Sequence, residues 1–137
     1  MFNVIHADNP SVAEHLERLR AAFAAIDDRE QQYNEMVQGI QSGDISLYHL
    51  KAEGVDLSLA GEIDGPEYFI WAVAGKGLKA GIEELALRVK EIGLDSITCA
   101  TGSRSAARLY RQRLGAVTTR REFLDSGGFV TWHRLEV

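Results

Sequence analysis

The sequence predicts an α+β domain in which a mostly antiparallel mixed sheet is flanked by four helices. Three observations predict it. Apolar residues recur at helical spacing in separate segments, turn signals join alternating segments into hairpins, and Tyr68 to Ala74 is apolar on both faces. At 137 residues the chain fits one domain, 1–137, with room for a sizeable core.

The elements follow in order. Phe2 to Ile5 is a short starting strand. Asp8-Asn9-Pro10 begins a helix, with a capping side chain and then a proline whose missing N–H costs nothing there. Val12, Leu16, Leu19, Phe23 and Ile26 form its apolar stripe. Asp27-Asp28 breaks that helix and caps a second, striped by Tyr33, Met36, Val37 and Ile40 and ended by Ser42-Gly43-Asp44. Ile45 to Glu53 has a mixed alternation. Val55, Leu57, Leu59 and Ile63 alternate with Asp56, Ser58, Ala60 and Glu62, which predicts a half-buried strand. Glu53-Gly54 and Asp64-Gly65-Pro66 are the hairpin turns. Tyr68 to Ala74 is then a central strand covered on both sides.

Leu78, Ile82, Leu85, Val89 and Ile92 make a third helix, closed by Gly93. Asp95 to Ala100 is a short strand, and Ser103 to Leu114 a fourth helix closed by Gly115. Ala116 to Leu124 and Phe129 to Val137 are two closing strands around Asp125-Ser126-Gly127-Gly128. The predicted order is β-α-α-β-β-β-α-β-α-β-β.

Composition excludes several classes. No apolar run approaches the roughly 20 residues of a membrane span. The start, MFNVIHADNP, lacks the basic and apolar regions of a signal peptide, and the single Cys99 suits a reducing compartment. The cytoplasm, of a host cell or an infected one, is the expected location. The net charge of −5 is uneven, with 4 basic against 13 acidic side chains through Gly75 and 11 against 7 after it. Such a split suits a protein that meets a cation on one side and an anion on the other, and equally suits scattered solvated charge. No basic stripe marks a nucleic-acid surface. His6, His15, His49 and His133 lack metal-ligand spacing.

The segment Gly75-Lys76-Gly77-Leu78-Lys79-Ala80 follows the central strand and opens a helix. Such a turn offers first-turn N–H groups and the positive end of a helix dipole to an anion. It is not a P-loop, because Lys76 is followed by Gly77 rather than Ser or Thr. Gly75, Gly77 and Ala80 meet a dinucleotide fingerprint, but hairpins precede the turn where βα units are needed, and the next strand ends Cys99-Ala100-Thr101 without the acidic residue.

This turn and the run from Ser103 to Tyr110 leading into Leu114-Gly115-Ala116, placed in that element order, resemble the GCN5-related N-acetyltransferase (GNAT) superfamily. The resemblance covers nearly the whole chain as a layout and rests on those two segments as motifs. It implies a GNAT-like fold, acyl transfer from acetyl-coenzyme A (acetyl-CoA) to an amine, and a pyrophosphate bound by the turn. The implied coenzyme-binding residues are Val73, Gly75, Lys76, Gly77, Leu78, Lys79, Ala80, Ser103 and Arg108. The implied catalytic residues are Tyr110, which protonates the departing thiolate, and Glu67, a general base with Glu62 as the other carboxylate in place. A strand N–H around Ala72 to Ala74 would face the acyl oxygen. Arg104, Arg108 and Arg111 lie where a 3′-phosphate would sit, and also suit a solvated helix face.

The sequence departs from the family pattern. Ala74 stands where Arg or Gln is expected, Lys79 where a last Gly or Ala belongs, and Ser103 where asparagine is common. Tyr110 precedes Gly115 by one residue more than usual, a rotation of roughly 100° on a helix, so that Arg111 competes for its place. The short, lysine-bearing turn and Leu114-Gly115-Ala116-Val117 are also similar to small GNAT-like proteins of tailed bacteriophages, for which an assembly or virion role is implied in place of catalysis. Cys99 reads as a buried inert thiol. Trp71 and Trp132 read as core or groove-lining residues, and Phe129, Val130 and Trp132 also suit an interface between two copies.

Overall fold

A computed structural model describes residues 2–137. The chain forms β1 (Phe2–Val4), α1 (Val12–Arg20), a 3-10 turn (Ala21–Phe23), α2 (Arg29–Ser42), β2 (Ser46–Ala52), β3 (Val55–Asp64) and β4 (Glu67–Lys76). There follow α3 (Leu78–Glu91), β5 (Ser96–Thr101), α4 (Arg104–Arg113), β6 (Val117–Phe123) and β7 (Phe129–Glu136). The expected order of elements is the observed one. The strands form one sheet in the order β1-β2-β3-β4-β5-β7-β6. Only β4 and β5 run parallel, since α3 carries the chain back between them, and every other pair is antiparallel.

Helices cover both faces. Leu19, Phe23, Tyr33, Met36 and Ile40 of the first two helices and the 3-10 turn pack on Leu47, Ala60 and Ala72. On the other face Ile82, Leu85 and Val89 of α3 pack on Leu50, Leu57, Leu59, Tyr68 and Ile70. Each such side chain removed from water contributes about 1.5–3 kcal/mol, so the two helical stripes are what clamp the sheet. No helix among the described residues is long and apolar enough to cross a membrane.

The differences from the sequence expectations are local. The first helix starts at Val12, because Asn9 Oδ1 accepts the Ser11 N–H at 2.9 Å and holds a turn just before it. It tightens at Ala21 to 3-10 geometry, although its apolar stripe runs on to Ile26. In β3, Leu57 through Gly61 are all buried because helices cover both faces there, while Ile63 is 60% exposed where the strand outruns them. The alternation therefore describes only part of that strand.

Candidate functional site

β4 carries the site, and its pairing changes halfway along. Against β3 the register shifts at Ala60/Gly61, so Ala60 faces Ala72, Gly61 faces Ile70, and Trp71 is left as the extra residue of a bulge. A bulge turns successive side chains toward one face and increases the local twist. Trp71 and Ala72 accordingly both pack on the α1 and α2 side, whereas Ile70 and Val73 belong to the α3 side. On the opposite edge β4 pairs with β5 from Glu67↔Ser96 to Ile70↔Cys99 and no further. Past the bulge the two strands part.

A cleft of about 400 Å³ opens where they part, lined by Trp71 to Ala74, by Cys99 to Thr101, by alanines of the 21–25 segment, and by Ser103 and Tyr110. A strand paired on one edge only presents alternate N–H and C=O groups to the other, so the Trp71–Ala74 backbone offers donors to this cleft. Below it lies a narrow apolar hole of about 30 Å³, bounded by Val73, Leu78, Cys99, Tyr110 and His133 among others. Tyr110 borders both spaces, and its ring meets His133 edge-on at 5.4 Å between centroids. Arg111, its competitor from the helix register, is exposed. Burial raises the Tyr110 phenol well above its ordinary value and pushes the Cys99 thiol up to about 12. The phenol keeps its proton at neutral pH, and Cys99 is no nucleophile.

The glycine turn lies at the end of β4. The strand stays paired with β3 through Gly75 and Lys76, leaving Gly77 alone as the joint to α3. Gly75 has φ +129° and Gly77 φ +82°, and a side chain on Gly77 would come within 2.6 Å of the Gly54 carbonyl. One on Gly75 would meet the Asp56 carbonyl. Both glycines are therefore required by packing on β3, whether or not a ligand binds. The first intrahelical bond runs from Gly81 N–H to the Gly77 carbonyl, and no side chain caps the helix. The N–H groups of Leu78, Lys79 and Ala80 thus lack helical acceptors. Lys76 and Lys79 are exposed, and Lys79 lies 3.6 Å from Glu83 one turn on.

The remaining expected residues divide. Ser103 accepts the Ala106 N–H at 3.2 Å, capping α4 at the rim of the cleft. Arg108 is exposed on α4. Glu67 stands apart: its Oε1 accepts from Arg134 Nη1 at 2.9 Å, and it lines a separate recess with Asp64, Thr98 and Thr119. Six residues of extended chain, about 20 Å, separate it from Val73. Glu62 is closer to the junction, because its Oε1 accepts the Trp71 indole N–H at 2.9 Å.

Two features had no signal in the sequence. The bulge at Trp71 is one. The other is a polar network behind the turn, in which His15 Nδ1 lies 2.7 Å from Ser58 Oγ and its ring 4.7 Å from that of His49. His49 Nε2 lies 2.8 Å from Asp56 Oδ1, which also receives Arg18 at 3.0 Å, while Asp56 Oδ2 receives Lys51 at 3.1 Å. Bonds from His49, Arg18 and Lys51 hold the Asp56 carboxyl below its ordinary range. Burial, with His49 and Arg18 nearby, lowers the His15 value.

No protein-family profile matches the chain, and no curated protein matches it in sequence. Its structure is similar to solved acetyltransferases. An acetyltransferase from Bacillus subtilis in complex with CoA aligns over 99% of this chain and 97% of its own, at 15% identity and TM-score 0.69. The ribosomal-protein-S18-alanine N-acetyltransferase from Escherichia coli aligns over 100% and 94%, at 12% identity and TM-score 0.67. Aminoglycoside 6′-acetyltransferase type Ii aligns over 99% and 96%, at 12% identity and TM-score 0.67. At these identities the likeness establishes the fold, a GNAT-like α+β architecture.

Proposed function

We propose that the protein is an acyl-coenzyme A-dependent N-acyltransferase acting on an amine. One observation carries this reading: β4 and β5 part after Ile70 and Cys99, and Tyr110 lines the cleft they open, with the uncapped start of α3 at the end of β4. The turn fits a pyrophosphate. Leu78, Lys79 and Ala80 offer free N–H groups at the positive end of a helix, and Lys76 adds charge beside them. The Lys79–Glu83 pair is exposed and worth at most about 0.5 kcal/mol, so Lys79 is available to an anion. Ser103 and Arg108 on α4 complete the set assigned to the coenzyme.

Acetyl-CoA, when bound, supplies an acyl group activated as a thioester. The chain's own contribution is positional and electrostatic. N–H groups of Trp71 to Ala74 would donate hydrogen bonds to the acyl oxygen as its negative charge grows. Tyr110 holds a phenolic proton at the wall of that cleft for the departing sulfur. We assign Glu62, fixed beside Trp71, to take the proton released by the amine, in place of the remote Glu67.

Calorimetric titration with acetyl-CoA up to the millimolar range tests the reading. Binding that Lys79→Glu abolishes in a folded protein is expected. Absence of binding would leave the second reading, a catalytically silent GNAT-like assembly protein such as a phage particle uses. What favours that one is the turn itself, since Gly75 and Gly77 are explained by β3 alone.

A further inference from the structure

Beside the cleft lies a second recess of about 330 Å³, in the size range of small-molecule sites. It shares Ala22, Trp71, Ala100 and Thr101 with the cleft as walls, so the two spaces adjoin. Where they meet, the chain crosses overhead: a side chain on Gly102 would come within 2.8 Å of the Ala25 carbonyl. This contact ties the segment after the 3-10 turn to the end of β5. It leaves one mouth on the side of Ser103 and Tyr110 and another on the side of the β6–β7 hairpin.

The second mouth has a distinct chemistry. Phe23, Ile26, Phe69, Trp71, Val130 and Trp132 supply its apolar walls, and Phe69 meets Trp71 edge-on at 5.9 Å. Its ionisable lining residues are Asp28 and Glu122, both acidic. Asp28 Oδ2 accepts from the neutral Gln32 amide at 3.0 Å. Glu122 pairs with Arg120 at 2.9 Å, and the Arg120 guanidinium lies 4.5 Å from the centre of the Trp132 ring. That contact shows an aromatic surface of this region already in use by a cation. An anion entering the recess would be repelled by Asp28, with the Glu122 charge offset by Arg120, and a neutral molecule would gain from the walls alone.

We propose that this recess binds a small primary amine with an aromatic or apolar body, captured as the ammonium ion, and that this is the acyl acceptor once Glu62, fixed beside Trp71, has taken a proton from it and freed the nitrogen lone pair. The role as acceptor rests on the acyltransferase reading above. The binding itself does not.

The protein carries two tryptophans, and both line the recess, so intrinsic fluorescence reports on it directly. The probes are 2-phenylethylamine, 2-phenylethanol and 3-phenylpropionate, titrated at pH 7 without coenzyme. The expected result is a saturable change with the amine, about 5- to 30-fold tighter than with the alcohol and weakest with the carboxylate. Asp28→Asn and Glu122→Gln, each checked for folding by circular dichroism, should narrow the gap between amine and alcohol. A missing saturable response, or an alcohol or carboxylate that binds as well as the amine, overturns the proposal. A parallel acetyl-CoA titration separates the two readings. Coenzyme binding without amine binding overturns the acceptor class alone. Amine binding without coenzyme binding upholds the recess as an amine site and removes the transfer reaction.

Discussion

The two halves of β4 belong to one strand and have opposite fates. Glu67 to Ile70 is paired on both edges, and its one charged side chain is neutralised by Arg134. Past the bulged Trp71, Ala72 to Lys76 is paired on one edge only, borders the cleft at Ala72 to Ala74, and runs into the uncapped α3. A strand whose hydrogen bonds are all made can only support, whereas one with unpaired amides beside a cavity can take a ligand. The divide falls at the bulge at Trp71, past which Ala72 rather than Val73 shares the indole's face.

Variants can break this contrast at different depths. The largest effect should come from Gly75→Ala, which forces a side chain into the Asp56 carbonyl at φ +129°. We expect a loss of about 3 kcal/mol and a Tm about 10 °C lower. A variant that melts like the parent and loses only coenzyme binding would mean that the glycine serves the ligand. Tyr110→Phe removes a single hydroxyl at the open half. Acetyl transfer should fall about 100-fold in kcat with Tm nearly unchanged, and an unchanged rate would remove Tyr110 from the chemistry.

Acidification should act next, and also on the open half. His15 sits on Ser58, which is registered with Ala74, and His133 is registered with Cys99. Both imidazoles have lowered values, chiefly through burial. The unfolded chain then binds protons more readily than the folded one, so stability is full above 6.5, the ordinary imidazole value, and falls as pH drops below it. Melting curves between pH 7.5 and 5.5 should show a falling Tm, and His15→Gln should flatten part of the slope. The smallest effect is expected from Glu67→Gln in the closed half. Its partly exposed ion pair is worth about 1 kcal/mol or less, measurable by urea denaturation, and transfer should suffer less than in Tyr110→Phe. A larger loss of transfer than in Tyr110→Phe would return Glu67 to the site.

Most of the scaffold was legible in the sequence because its signals are local. Of the stripe Leu78, Ile82, Leu85, Val89 and Ile92, the middle three are buried along one side of α3, Leu78 is half-buried and Ile92 is exposed just past the helix end. The Gly65-Pro66 turn closes the β3–β4 hairpin as expected. The candidate site was legible only as far as its position. Val73, Leu78, Ser103 and Tyr110 do gather around the parting strands. Glu67 does not, because reading along the strand gave no measure of the distance to the cleft or of Arg134, a partner far along the chain.

The sequence by itself determined the order of strands and helices, the central place of β4 in the sheet, and a glycine turn that opens α3. These follow from spacing within one segment. Only the tertiary structure decided that Trp71 leaves the β3 register, that β5 parts from β4 after Ile70, and that Tyr110 rather than Arg111 faces the gap. The physical reason is register: in a sheet one residue of slip reverses a side chain, and on a helix one residue swings it by roughly 100°. Both are fixed by contacts between segments remote in sequence, which no single segment encodes.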